Sequence, residues 1–92
     1  MTALPLDTPI RRGPVLWRRS GDQILIRRRG DDRLTVLAGT GVALWDELVE
    51  PITLETLAAR LAAAHAAPVE TVTSDLQASI ETLLGDGTVV RS

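Results

Sequence analysis

The sequence of 92 residues contains no cysteine, no phenylalanine and no tyrosine, and it has one histidine and two tryptophans. Without thiols the chain forms no disulfide and has no cysteine nucleophile, and a single histidine leaves no nitrogen and sulfur ligand set for structural zinc. Few aromatic side chains also disfavour sites that stack nucleobases or sugars. We therefore expect no metal and no cofactor.

Long apolar runs are also missing. No segment approaches the roughly 18 apolar residues of a membrane helix. Residues 1–10 contain Pro5, Asp7 and Pro9 and lack the apolar core and basic flank of a signal peptide. The composition, 45% hydrophobic and 24% charged, is that of one folded domain. We expect a cytoplasmic protein with no membrane span.

Lysine is absent, so all ten basic residues are arginine. Residues 1–33 contain eight Arg and four Asp, whereas residues 34–92 contain two Arg and eight acidic residues. The arginine guanidinium binds carboxylates through two parallel hydrogen bonds. The basic first third therefore suits an acidic partner, although GC-rich codon usage explains the arginine bias equally well.

Turn residues divide the first half of the chain. Prolines in residues 1–13 predict an extended N-terminal arm, with the folded domain spanning residues 14–92. Three runs rich in aliphatic and β-branched residues follow the arm, separated by Gly-Asp turns, at 15–19, 23–29 and 33–38. Such runs and turns predict a three-stranded antiparallel sheet.

A helical period replaces the strand pattern after Gly41. Three helices are predicted: Val42 to Val49, ended by Glu50-Pro51; one from an N-cap at Thr53 to about Ala66; and one from about Pro68 to Gly85. Residues 88–90 form a short extended tail. The predicted class is α+β and winged-helix-like, with a three-stranded antiparallel sheet followed by three helices.

Few residues suggest catalysis. His65 lies near a predicted helix end without an evident nucleophile, so we interpret it as structural. Asp46 and Glu50 share a helix face, but no further ligands converge on them to complete a metal site. The segment Gly39-Thr40-Gly41 lacks the lysine and the glycine spacing of a phosphate loop. These observations predict a protein that is not an enzyme.

A sheet and three helices also suit a winged-helix regulator that binds DNA. Its third helix would carry basic or amide side chains to the base edges. Residues 70–84 instead contain three acidic residues, one glutamine and no basic residue. DNA binding therefore stays the alternative function, and nucleic acid is not the expected partner.

One continuous segment and several later residues carry a resemblance to a known family. They are Leu37-Ala38-Gly39-Thr40-Gly41-Val42-Ala43-Leu44-Trp45-Asp46-Glu47-Leu48, together with Thr53-Leu54-Glu55-Thr56-Leu57, Leu61, Val72, Asp75, Leu76, Leu83 and Gly87. The chain resembles the PqqD-like family of leader-peptide recognition elements and is similar to the stand-alone members of lasso-peptide pathways. Two features depart from the family's pattern: Ala38, where many members have Asn, and the arginine-rich hairpin.

The resemblance implies a non-catalytic domain that binds the leader segment of a ribosomally made precursor peptide. The leader would add to the edge of the third strand beside the third helix, and the domain would deliver it to a modifying enzyme or leader protease of the same pathway. The implied peptide-binding residues are Arg33, Leu34, Thr35, Val36 and Leu37 of the strand, Val72, Leu76, Ile80 and Leu83 of the helix, and Arg27 and Arg29 of the basic hairpin. At least two of the four helix residues are expected to fill the core.

Overall fold

The computed structural model describes residues 4–28, 30 and 32–92. Within these residues the chain forms six strands and three helices: β1 (Pro9–Arg12), β2 (Val15–Ser20), β3 (Gln23–Arg28), β4 (Leu34–Ala38), α1 (Thr40–Glu47), β5 (Ile52–Thr53), α2 (Leu54–His65), α3 (Val69–Gly85) and β6 (Val89–Arg91). The predicted α+β class and the three helices are confirmed.

Strands β2, β3 and β4 form an antiparallel meander in that order, as predicted. A two-residue turn at Gly21-Asp22, with φ of 60° at Gly21, joins β2 to β3. On β3, Ile24 and Ile26 are fully buried, because alternate residues of a strand point to the same face. One face of the meander therefore covers the core, and the other is solvated.

A second antiparallel sheet, in the order β5-β1-β6, was not predicted. The sequence analysis placed residues 1–13 in an extended arm, and the structure shows that β1 of this segment pairs on both sides. Ile10 lies opposite Ile52 and opposite Arg91, and its own side chain is fully buried. Leu4 is also buried, and its N–H donates to Glu81 Oε1 at 3.1 Å. Leu4 and Ile10 of the predicted arm are thus part of the core.

The helix ends follow from local hydrogen bonds. Thr53 is the N-cap of α2, as predicted, and its Oγ1 accepts a hydrogen bond from the Thr56 N–H at 3.2 Å. Helix α2 ends where Ala66 adopts a left-handed conformation with φ of 51°. The prediction that the first helix runs from Val42 to Val49 is wrong at both ends, because α1 spans Thr40–Glu47 and Val49 lies outside it. Its side chain is 73% exposed, because α1 ends at Glu47 and the chain turns away.

The core lies between the two sheets and the three helices, and Trp45 of α1 is its largest fully buried side chain. Aliphatic residues from every strand except β2 and β4 and from all three helices surround it: Leu4, Ile10, Ile24, Ile26, Leu44, Leu48, Ile52, Leu54, Leu57, Leu61, Leu76, Ile80, Leu83 and Val89. In the described part of the chain, no helix combines the length and the apolarity that crossing a bilayer requires.

Arg12 connects both sheets to α1. Its guanidinium carbon lies 4.7 Å from the centre of the Trp17 ring and 4.9 Å from that of Trp45. Nη2 and Nε of Arg12 donate to the Trp45 carbonyl at 2.8 and 3.3 Å. Burial lowers the pKa of Arg12, and the Asp46 carboxylate opposes this effect. Arginine still stays charged at any ordinary pH, so Arg12 supplies both cation–π contacts and charged hydrogen bonds.

Replacing Arg12 with methionine is expected to destabilise the fold, because Met keeps much of the aliphatic volume but loses both hydrogen bonds and the cation. Charged hydrogen bonds and cation–π contacts of this kind predict a loss of about 2 kcal/mol in the free energy of unfolding, measured by urea denaturation. Arg11→Met, at the exposed neighbouring position, is the control and should change stability by less than about 0.5 kcal/mol. If both changes lower the free energy of unfolding equally, the contacts of Arg12 do not stabilise the fold.

Candidate functional site

Strand β4 lies at the edge of the meander, paired with β3 on one side. Hydrogen-bonded and non-bonded pairs alternate along an antiparallel ladder. The two-residue turn makes Ser20 and Gln23 a hydrogen-bonded pair. The alternation can be followed along the paired residues from this pair across β3 to β4. It shows that the backbone N–H and C=O groups of Thr35 and Leu37 bond to β3, whereas those of Val36 point to the open edge. The backbone of Val36 is thus available to another strand.

A groove with a volume of about 510 Å³ lies between the end of β4 and α3. Its apolar lining comes from one strand and three helices: Leu37, Leu44, Leu61, Val72, Leu76 and Leu83. Its polar lining is made of Thr40, His65, Thr71, Asp75, Ser79 and Thr82. Gly41 also lines the groove, and a Cβ at this position would lie 3.3 Å from Leu37 Cβ. The absence of a side chain at Gly41 therefore lets α1 approach β4 closely.

The structure brings four of the predicted binding residues together in this groove: Leu37, Val72, Leu76 and Leu83. Leu76 and Leu83 are 7% and 8% exposed, so only a small part of each side chain faces the groove. Ile80 is fully buried in the core and does not line the groove. The expectation that at least two of the four helix residues fill the core is confirmed.

The remaining predicted residues lie outside the groove. Leu34 and Val36 point to the solvated face of the sheet, with exposures of 57% and 47%. Arg27 pairs with Leu34 and points to the same face, and Arg33 precedes β4 and is exposed. Thr35 is half-buried on the core side, where its Oγ1 accepts a hydrogen bond from Arg28 Nη1 at 3.4 Å. Arg29 lies outside the described residues.

The sequence analysis missed the contributions of α1 and α2 to the groove. It did not include Leu44 or Leu61 among the binding residues and interpreted His65 only as structural, yet all three line the groove. The spacing of these residues gave no signal of a groove, because an apolar helical stripe has the same sequence pattern whether it packs in the core or lines a groove. Only the packing of the helices in the folded structure distinguishes a core residue from a groove-lining residue.

The groove contains one serine, one histidine and one aspartate, the residue types of a catalytic triad. A triad requires hydrogen bonds from nucleophile to base and from base to carboxylate. Although Ser79, His65 and Asp75 are all described, no hydrogen bond joins any two of them, and His65 is exposed. Across the described ranges, no three potential metal ligands cluster either.

Arg28 stabilises the boundary between the meander and α3. Its Nη1 lies 3.6 Å from Asp86 Oδ2, just beyond the end of α3. Asp86 in turn accepts a hydrogen bond from the Thr88 N–H at 3.0 Å. Part of the arginine excess of the hairpin therefore supports the fold, and the arginines of the hairpin do not form one uniform binding surface.

No curated protein and no solved structure matches the chain. The family model described as coenzyme PQQ synthesis protein D (PqqD) matches residues 24–89, which is more than half of the chain. This segment contains β3, β4 and all three helices, and so every element that lines the groove. The resemblance noted in the sequence is confirmed. The chain belongs to the PqqD family, whose members are peptide-binding accessory domains that work beside modifying enzymes in pathways for ribosomally made peptides.

Proposed function

We propose that the protein binds the leader segment of a ribosomally made precursor peptide and delivers it, without catalysis, to a modifying enzyme or leader protease. One observation supports this most strongly: the open edge of β4 borders an apolar groove whose opposite wall is α3. Leu37 belongs to both features. An extended peptide on this edge would gain backbone hydrogen bonds and side-chain pockets together.

Strand addition divides the roles of the leader residues. The backbone of the leader bonds to Val36, and alternate side chains of the added strand point either towards the groove or towards the solvated face. The groove accepts aliphatic or aromatic side chains, because its lining is mainly leucine and valine. The hydroxyl groups of Thr40, Ser79 and Thr82 offer hydrogen bonds at its rim. Affinity then comes from the backbone, and specificity from the groove.

In this proposal the sheet and helices form a winged-helix-like frame whose third helix binds peptide instead of DNA. Helix α3 has no basic residue along its length and would be repelled by phosphate, so no observation favours the DNA-binding alternative. Arg33 precedes β4, and Arg27 lies opposite its first residue. These charges attract acidic leader residues to the start of β4 and raise the rate of association.

Proline substitutions on β4 test strand addition, because proline lacks the N–H that a ladder requires. Val36→Pro is expected to keep the fold and to weaken leader binding by about a hundredfold, since it removes an outward donor and obstructs close approach. Thr35→Pro is expected to unfold the sheet, because its N–H bonds to β3. Isothermal titration with the leader peptide, together with thermal melts, measures both effects.

Val36→Ala is the matched control for these variants, because it shortens the same side chain and retains the N–H. It should bind the leader within about threefold of the original chain. If Val36→Pro stays folded and binds with the original affinity, the leader does not extend β4 and this part of the proposal is wrong.

A bulky side chain at Ser79 tests the groove itself. Ser79 is exposed and lines the groove, so Ser79→Trp fills the space without disturbing the core. We expect leader affinity to fall by about tenfold or more through steric exclusion. Ala78→Trp is the control, since Ala78 is also exposed on α3 but does not line the groove. Equal leader affinities of these two folded variants, measured by titration, would exclude the groove as the binding site.

A further inference from the structure

The solvated side of the meander, here called the outer face, has an unusual composition. Three rows of side chains lie across its three strands. The row beside the β2–β3 turn is Ser20, Gln23 and Ala38, and the other two rows are Leu16, Arg27 and Leu34, and Arg18, Leu25 and Val36. A solvated sheet face normally carries polar residues. The latter two rows instead combine aliphatic side chains with arginine.

The aliphatic residues of the outer face are strongly exposed. Leu16 is 72% exposed, Leu34 57% and Val36 47%. Between the strands lies a shallow depression of about 240 Å³, bordered by Leu16, Leu25 and Leu34 and flanked by Arg18 and Arg27. A depression with apolar walls and an arginine rim is the type of site in which one anchoring side chain of a partner is buried.

Charge identifies the chemistry of that partner. Arg18 and Arg27 are the charged residues in the two rows, and no carboxylate occurs among the described strand residues of this face. An apolar side chain flanked by Asp or Glu would fill the depression and bind the guanidinium groups. The complementary surface is therefore apolar and acidic.

Other occupants fit the outer face less well. A second copy that used the same face symmetrically would place arginine against arginine. An anionic bilayer would attract the two arginines but repel the rest of the chain, since the net charge is −2 and residues 34–92 contain eight acidic residues. A protein surface of the stated chemistry avoids both conflicts.

We propose that the outer face docks the enzyme to which the leader is delivered, through an apolar side chain of that enzyme flanked by carboxylates. This inference rests on the proposed function and adds the surface and the chemistry of the partner. The groove lies on the core side of β4, and Leu16 and Arg18 lie on β2, the far strand of the meander. The leader edge of β4 and the β2 side of the outer face are therefore at opposite edges of the meander, so that the leader and the enzyme can bind at the same time.

Substitutions on β2 test the outer face, with the modifying enzyme or leader protease encoded beside this gene and the matching leader peptide as probes. Leu16→Ser and Arg18→Glu should each weaken enzyme binding by about tenfold or more in titrations at low salt, because they remove an anchor contact and reverse a complementary charge. Both should bind the leader within about twofold, because distant sites act independently. Val49→Ser and Arg11→Glu are the controls at exposed positions away from the meander and should bind both probes normally.

The outcomes separate this inference from the proposed function. If the original chain does not bind the leader, the proposed function is wrong. If leader binding is normal but the enzyme binds Leu16→Ser and Arg18→Glu as well as the original chain, or does not bind the original chain, the docking surface is wrong. A dimer in size-exclusion chromatography that Arg18→Glu disrupts would assign the face to a second copy. Co-sedimentation with phosphatidylglycerol vesicles that Leu16→Ser abolishes would assign it to a membrane.

Discussion

Burial of Ile24 and Ile26 under the helices is the constraint on which both surfaces of the meander depend. Because strand side chains alternate between faces, a slip of one residue would expose both isoleucines and bury Gln23 and Arg27 in their place. The register of β3 is therefore fixed. That register determines that Leu37 reaches the groove and that the backbone of Val36 faces the open edge. It also leaves Leu34 and Leu16 on the opposite, solvated face.

The small second sheet has a supporting role. It joins β1 to β5, directly before α2, and to β6, and it places Arg12 between the two tryptophan rings. The indole N–H of Trp45 is buried without a hydrogen-bond partner, although the Trp45 carbonyl accepts two hydrogen bonds from Arg12. Apolar packing and the cation therefore hold this ring, and with it α1, against the meander that carries β4.

A peptide-binding accessory domain acts through the geometry of its surfaces. The groove is apolar and lies beside an unpaired strand edge, as the binding of an extended peptide requires. The outer face is apolar with arginine at its rim, as docking to an acidic protein surface requires. Because β4 borders both, the proposed function needs only a rigid sheet of three strands to hold a peptide in a fixed position relative to a second protein.

The sequence by itself determined the α+β class, the three strands of the meander, the N-cap at Thr53 and the family, because turn residues, periodicity and the motif from Leu37 to Leu48 are local signals. Only the tertiary structure showed that β1 belongs to a sheet, since its partners β5 and β6 lie more than 40 residues away in the chain. It also decided that Ile80 fills the core while Val72 lines the groove. Both residues belong to one helical stripe, and the separation of core from groove depends on how far β4 and α3 stand apart, which no local pattern encodes.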